Sequence, residues 1–223
     1  MNQADFKFVA IRIASNILIF GAITILYLTY GAWAKDNLLF IATKARGVSY
    51  QLSTNSDNPE DPSLLTALKE RKPLAISPVN SDFALVIPQI GLSVPVVKNT
   101  SVTDKAKYLE ALKFGVAHAK GTVLPGEIGN SYYFSHSSLN FWELGSYATS
   151  FNLLNRITPG SDIYVFYQGK QYQYRVLQTE IVKGWDTVPY YREFVKPMLT
   201  LQTCSPPGTT INRLLILAEL VEQ

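Results

Sequence analysis

The longest apolar stretch of the chain lies near its amino terminus. Residues 13–34 carry no charged side chain, and Tyr27, Tyr30 and Trp33 lie toward the far end of this stretch. As a helix, these 22 residues would span about 30 Å, the thickness of the hydrocarbon core of a bilayer. Because Tyr and Trp favour membrane interfaces, the pattern predicts a transmembrane helix at residues 13–34 that follows a short terminus, residues 1–12.

Two other interpretations of this stretch are a buried core helix and a cleaved signal peptide. Its length argues against a core helix, and residues 29–34 lack the small-residue pattern of a cleavage site. Basic residues occur on both sides of the stretch, at Lys7, Arg12, Lys35, Lys44 and Arg46. The distribution of positive charge therefore does not decide which side of the membrane each terminus occupies.

Residues 35–77 are predicted to connect the anchor to a folded domain. Residues 35–50 are of mixed polarity and are expected to continue the helix as a membrane-proximal stalk. Residues 51–63 are polar and interrupted by proline, which is typical of a flexible linker. Residues 63–72 predict a short helix capped by Ser63. That helix has two possible positions, against the domain or partly over its functional site.

Beyond residue 78 the pattern changes to short apolar runs separated by turn residues. The runs that predict strands are residues 83–87, 92–97, 131–136, 163–168, 171–182, 198–204 and 213–221. Residues 103–114 predict a helix with Thr103 as its N-cap, and residues 141–156 predict a helical or irregular segment. Seven or eight short strands with one or two short helices favour a closed antiparallel or mixed β-barrel for residues 78–223.

Composition supports a mostly β domain and excludes one class of partner. The 13 Tyr and 11 Phe favour strands. The net charge of +3 is small, and no run of basic residues indicates nucleic-acid binding. The carboxylates at Glu110, Glu127, Glu143 and Glu180 lack the spacing of a calcium site. We therefore expect neither a metal nor another cofactor.

Cysteine usage provides the first candidate for chemistry. The chain contains one cysteine, Cys204, so no disulfide can form within it. A lone cysteine is ordinarily a buried small hydrophobe, but an unpaired thiol outside the cell is prone to oxidation. Strand alternation places Leu199, Leu201 and Thr203 on one face. Cys204 therefore lies on the opposite, more polar face, at the end of a strand.

The strand after Cys204 supplies a cationic neighbour. Pro206, Pro207 and Gly208 force a turn between the last two predicted strands, the second of which begins at Arg213. If these strands pair, Cys204 and Arg213 face each other with Cβ atoms about 5 Å apart. A guanidinium at that position would favour the thiolate and could hold a developing oxyanion.

A thiol nucleophile needs a nearby imidazole to exchange protons with it. The chain has two histidines, His118 and His136. His136 ends a predicted strand, and strand ends at a barrel rim often carry functional sites. Position alone favours His136 for this role and leaves His118 as the alternative.

These residues resemble the sortase family. Residues 200–204, TLQTC, match the TLxTC motif of sortases, and Arg213 lies where the catalytic Arg of the family opens the final strand. Residues 115–137 resemble the segment that leads through a Pro-Gly-Glu-x-Gly-Asn turn to the catalytic His, and residues 83–97 resemble the opening strands. The resemblance covers roughly residues 78–222. It departs from many members at Ala117, and at Ser137, where Arg or Gly often follows the catalytic His.

The resemblance implies an eight-stranded sortase barrel with Cys204, His136 and Arg213 as catalytic residues. It also implies a cytoplasmic amino terminus, a single membrane pass and an extracellular catalytic domain. Predicted substrate-binding residues are Thr203, Gln202 and His118, with packing as the alternative role for Thr203.

The activity implied by the resemblance is transpeptidation. Cys204 would cleave an LPxTG-like sorting signal near the carboxy terminus of a surface protein through a thioacyl intermediate. An amine of a cell-wall precursor or a pilin subunit would then accept the acyl group. The alternatives are a membrane-anchored cysteine hydrolase of the same signals and, from a different class, a non-catalytic barrel that binds peptides.

Overall fold

Ten strands and four α-helices make up the described part of the chain. The computed structural model describes residues 3–53, 62–137, 147 and 149–221, with side chains from residue 7 onward. In chain order the elements are α1 (Gln3–Arg46), β1 (Tyr50–Leu52), α2 (Leu64–Glu70), β2 (Leu74–Ile76), β3 (Phe83–Ile87), β4 (Leu92–Thr100), α3 (Lys105–Leu112), β5 (Val116–Ala119), β6 (Gly129–Phe134), β7 (Asp162–Tyr167), β8 (Lys170–Lys183), α4 (Val188–Tyr191), β9 (Pro197–Ser205) and β10 (Asn212–Leu220).

Strands β3 to β10 close into a barrel. Their order around it is β10-β8-β7-β3-β4-β5-β6-β9. The β4–β5 and β6–β9 pairs are parallel and the other neighbours are antiparallel. The predicted closed, mixed barrel of eight strands with short helices is therefore confirmed. The sequence pattern missed β5, a run of four residues that are all buried.

Side chains that point into the barrel form its hydrophobic core. Leu85, Tyr133, Leu201 and Ile216 are fully buried there, because alternate residues of each strand face inward. Strand β3 is buried along its whole length. Its outward side chains, Ala84 and Val86, belong to a second buried cluster, to which the paired strands β1 and β2 also contribute.

Helix α1 is long and apolar enough to cross a membrane, and none of its most apolar window is buried inside the protein. The helix continues beyond the apolar stretch to Arg46, and this continuation lies against the barrel. Phe40 packs on the core cluster. Asn37 Oδ1 accepts a hydrogen bond from Arg156 Nη2 at 3.1 Å, and the Arg156 guanidinium lies 5.7 Å from the centre of the Phe40 ring. Part of the predicted linker, residues 54–61, lies outside the described residues.

The caps of the shorter helices agree with the sequence-based expectation in α2 and differ from it in α3. The Ser63 hydroxyl caps α2 as predicted, accepting from the Thr66 N–H at 3.3 Å. Helix α2 packs beside α1. The cap of α3 is Asp104 instead of Thr103, because the Asp104 carboxylate accepts from the Lys107 N–H at 3.2 Å.

The segment predicted to be helical or irregular is only partly described. Residues 141–146 and 148 lie outside the described residues. The described remainder contains one 3₁₀ turn, Leu154–Arg156. Phe151 and Leu154 are buried in the barrel core, so this segment contributes to packing.

Candidate active site

The antiparallel pairing of β9 and β10 brings Cys204 and Arg213 together. They are direct partners in the strand register, and Arg213 Nη1 lies 3.5 Å from Cys204 Sγ. The same Nη1 lies 3.4 Å from the carbonyl oxygens of Thr210 and Asn212. These backbone acceptors help to hold the guanidinium where it points at the sulfur.

Strand β6 leads to His136, which lines the same cavity as Cys204 and Arg213. The strand runs parallel to β9, and the last register pair joins Phe134 to Gln202. His136 follows two residues later, beside Cys204, and both residues line one cavity together with Arg213. The Nε2 atom of His136 is buried and has no hydrogen-bond partner among the described residues.

Burial and the nearby cation set the protonation of this pair. Burial raises the pKa of the Cys204 thiol, and the Arg213 charge opposes that rise only in part. Burial and then the Arg213 charge lower the pKa of His136. Each shift favours the neutral form, so neutral thiol and neutral imidazole predominate near pH 7. Thiolate with imidazolium is the minor form.

The cavity beside these residues has a volume of about 400 Å³. Aromatic side chains form much of its lining: Tyr108, Tyr132, Phe134, Tyr190 and Tyr191. Polar and charged side chains, including Asp186, Gln202 and Arg213, line the rest of the cavity. Such a mixture of apolar surface and convergent polar groups is typical of a ligand-binding site.

Two of the predicted substrate-binding residues line the cavity and the third does not. Gln202 lines it, with Oε1 accepting from the Tyr132 hydroxyl at 2.6 Å. Thr203 also lines it but is 3% exposed, and its hydroxyl donates to the Ser135 carbonyl at 3.1 Å.

His118 lies outside the lining of this cavity. It is 2% exposed, and its Nε2 lies 2.9 Å from the Val123 carbonyl oxygen. Its ring packs against Phe83 and Tyr133. Burial is the main cause of its lowered pKa. These contacts indicate a structural environment for His118.

Sequence reasoning missed one wall of the cavity. This wall consists of residues 184–191, between β8 and β9, and includes α4. The Tyr190 hydroxyl donates to the Lys120 carbonyl, and Asn130 Nδ2 donates to the Pro189 carbonyl at 3.4 Å. The adjacent tyrosines, Tyr190 and Tyr191, were the available signal, because aromatic residues in a loop beside a candidate nucleophile suggest a binding surface.

Candidate metal ligands are scattered. Among the described residues, no group of three or more His, Cys, Asp or Glu side chains is arranged to hold a metal ion. Glu180 forms an ion pair with Arg192 at 3.1 Å, and Glu110 forms one with Lys113 at 2.8 Å. Both carboxylates therefore have cationic partners.

Comparison with known proteins identifies the family. The model of the sortase domain matches residues 85–221, more than half of the chain. A search of curated proteins finds no match. Sortase C-1 from Actinomyces oris is similar at 28% identity and a TM-score of 0.52, over 86% of this chain and 99% of that one.

Two further solved structures are similar over a smaller part of this chain. Sortase C1 from Streptococcus agalactiae matches at 26% identity and a TM-score of 0.52, over 63% of this chain and 67% of that one. The Clostridium perfringens sortase D5 transpeptidase has the same fold at 18% identity and a TM-score of 0.52, over 64% and 80% of the two chains. The barrel and the matched domain together show that this chain belongs to the sortase family of cysteine transpeptidases.

Proposed function

We propose that the protein is a membrane-anchored sortase that cuts an LPxTG-like sorting signal and joins the new carboxy terminus to an amine. The observation that carries the proposal is the 3.5 Å approach of Arg213 Nη1 to Cys204 Sγ in a cavity that His136 also lines. A thiol nucleophile, an imidazole that exchanges protons with it and a cationic donor for an oxyanion are together suited to acyl transfer through a thioester. The substrates are surface proteins with such a signal, and the acceptor is a cell-wall precursor or a pilin subunit.

Acylation begins from the minor form with a Cys204 thiolate and a His136 imidazolium. The sulfur attacks the carbonyl carbon of the threonine-like residue, and the carbonyl electrons move onto oxygen. Arg213 stabilises that oxyanion with its charge and N–H groups. When the tetrahedral intermediate collapses, the C–N bond breaks and the imidazolium gives its proton to the departing amine. The products of this half-reaction are a thioester on Cys204, a neutral imidazole and a free amine.

Deacylation reverses these roles with a different amine. The acceptor nitrogen attacks the thioester carbonyl and loses a proton to the His136 imidazole. Collapse then breaks the C–S bond, releases the new amide and restores the thiolate–imidazolium pair. No oxidant or reductant takes part. The scarcity of the reactive ion pair at neutral pH limits the rate but leaves the stoichiometry unchanged.

The aromatic cavity is proposed to bind the signal beside the nucleophile. Gln202 is held by the Tyr132 hydroxyl and is a suitable contact for a peptide backbone. Thr203 is nearly buried, so only the small part of its side chain that lines the cavity could contact the substrate. The burial of His118 favours a structural role over the substrate contact that was predicted for it.

Membrane attachment is proposed through α1. Residues 13–34 would span the bilayer, with residues 1–12 in the cytoplasm. Residues 35–77 would lead to an extracellular catalytic domain, residues 78–223. An outside location for the barrel agrees with a reaction whose acceptor belongs to the cell wall.

Mass spectrometry of the full-length protein with a small library of sorting-signal peptides tests this function. We expect a covalent adduct on Cys204 and, with an added amine, a new amide product. Cys204→Ala should form neither product, and Ser205→Ala is the matched control next to the nucleophile. If the wild-type protein forms no adduct with any peptide of the library, the proposed substrate class is wrong.

Product analysis also separates the transpeptidase from the alternative hydrolase. A transpeptidase should transfer the acyl group to the added amine in preference to water. Equal yields of hydrolysed peptide with and without the amine would favour the hydrolase.

A further inference from the structure

The hydrogen bonding between β6 and β9 continues beyond the last paired residues of the two strands. The register ends at Phe134 opposite Gln202. The Ser135 N–H then donates to the Gln202 carbonyl at 3.1 Å, and the Thr203 hydroxyl donates to the Ser135 carbonyl at 3.1 Å. These bonds lead directly to the residues proposed for catalysis.

Ser137 forms two further hydrogen bonds on the carboxy-terminal side of His136. Its hydroxyl donates to the Cys204 carbonyl at 2.8 Å, and its own carbonyl accepts from the Gly208 N–H at 2.7 Å. Ser137 is 2% exposed. One small residue therefore connects the histidine segment to the nucleophile and to the loop that follows the nucleophile.

The surroundings of His136 make this connection important. In many catalytic triads a carboxylate orients the imidazole from its far side. Among the described residues, no carboxylate bonds to His136, and its buried Nε2 has no partner. Within the described part of the chain, the hydrogen bonds at Ser135 and Ser137 fix the backbone on both sides of His136 relative to Cys204.

We propose that Ser137 is a positioning residue that sets the distance and angle between the His136 imidazole and the Cys204 thiol. The proposal rests on the proposed function and adds to it a residue that touches neither substrate nor the reacting atoms. Loss of the Ser137 hydroxyl removes the hydrogen bond that it donates to the Cys204 carbonyl. The backbone that carries His136 is then less firmly held on its carboxy-terminal side. Because misplacement by about 1 Å can slow a reaction about a hundredfold, the effect should appear in kcat.

Ser137→Ala in the full-length protein tests the proposal with an LPxTG-type peptide and an added amine. We expect kcat to fall at least about tenfold. KM should change less than about twofold, because the aromatic residues that line the cavity are unchanged. Ser137→Thr retains a hydroxyl and should recover most of the loss. Ser137→Gly, which removes the hydroxyl and adds no new contact, serves as the second variant if the alanine protein does not fold.

Ser131→Ala is the matched control for general destabilisation. Ser131 lies on β6, the strand that leads to Ser137. It is fully buried and donates its hydroxyl to Tyr133 Oη at 3.0 Å, and it is not part of the cavity lining. This variant should lose a buried hydrogen bond as Ser137→Ala does, yet keep its kcat per folded molecule. Urea unfolding of each variant gives the folded fraction.

The pH profile separates positioning from simple loss of stability. In Ser137→Ala, the pH dependence of kcat/KM should shift from that of the wild type, because the coupling between thiol and imidazole depends on their distance. A folded Ser137→Ala or Ser137→Gly protein with wild-type kcat and profile would overturn the positioning role and leave the proposed function intact. A wild-type protein that processes no peptide would instead defeat the proposed function, and the positioning role with it.

Discussion

Replacing Arg213 with glutamine tests the electrostatic part of the proposed mechanism. The guanidinium Nη1 lies 3.5 Å from Cys204 Sγ, and its charge lowers the thiol pKa against the opposing effect of burial. Glutamine removes the charge and retains a polar side chain of moderate length. The variant should therefore carry less thiolate than the wild type at a pH where His136 is neutral.

The size of the effect follows from the distance. Two unit charges 3.5 Å apart interact by about 1 kcal/mol at the dielectric constant of water and by about 5 kcal/mol at an effective value near 20. Cys204 and Arg213 are only partly buried, so solvent screening favours the lower part of that range. A loss of about 1.4 kcal/mol corresponds to about a tenfold smaller thiolate population.

Alkylation of Cys204 by iodoacetamide measures that population without any peptide substrate. At pH 8 we expect about tenfold slower alkylation in Arg213→Gln than in the wild type. Arg213→Lys keeps the charge and should alkylate at nearly the wild-type rate. Peptide cleavage should fall in both variants, by about a hundredfold or more for glutamine, because a lysine does not reproduce the guanidinium geometry around an oxyanion.

An alkylation rate in Arg213→Gln equal to that of the wild type would refute the electrostatic role. Slow alkylation in Arg213→Lys would also count against it, since the charge is then present without effect. Mass spectrometry should assign the modification to Cys204, and Cys204→Ala provides the unlabelled control.

Three further predictions concern pH, packing and the anchor helix. The pKa of His136 is lowered and that of Cys204 is raised. The pH profile of kcat/KM should therefore be bell-shaped, with its acid limb below the usual imidazole pKa and its alkaline limb above the usual thiol pKa. Limbs inside that interval would contradict these shifts. Gly115→Ala should destabilise the protein by about 2 kcal/mol in urea unfolding, because the added Cβ would lie 2.2 Å from the Pro95 carbonyl oxygen; unchanged stability would contradict this contact. Arg156→Ala should speed amide exchange in residues 36–46 without changing kcat, whereas unchanged exchange would show that this side chain does not hold α1.

Local signals in the sequence were sufficient for many of the strands. Residues 83–87 form β3 with the predicted bounds, because Pro88 ends the run and Gly91 supplies the positive φ of 63° that the following turn needs. The predicted pairing of Cys204 with Arg213 follows from the turn at Pro206–Gly208, and the register shows the same partners.

Where two neighbouring residues compete for one role, the sequence did not decide between them. Thr103 and Asp104 can both cap a helix. Asp104 does so here, and its own N–H is satisfied by the Ser101 hydroxyl at 3.1 Å. Between β7 and β8, the two residues with positive φ are Gln168 and Gly169, one position earlier than the gap at residues 169–170 between the predicted strands 163–168 and 171–182.

Two features depend on tertiary contacts that leave no periodic pattern in the sequence. These are the cavity wall at residues 184–191 and the packing of α1 against the barrel. Asn130 contacts Pro189 across 59 positions, and Arg156 reaches Asn37 across 119. Strand alternation locates side chains on a face of their own element only. The elements of this fold were therefore more predictable than the loops that complete the candidate site.

Arg213 has opposite effects on the two members of the proposed reactive pair. Its charge stabilises the Cys204 thiolate but destabilises the His136 imidazolium, as the two pKa shifts show. These effects partly cancel in the equilibrium that moves a proton from thiol to imidazole, so Arg213 does little to enrich the ion pair. The charge of Arg213 is fully effective in two situations. One is a Cys204 thiolate beside a neutral His136, and the other is the tetrahedral intermediate, in which the negative charge lies on the substrate oxygen. The arrangement therefore favours stabilisation of the oxyanion as the main contribution of Arg213, which is why alkylation and peptide cleavage should respond differently to Arg213→Lys.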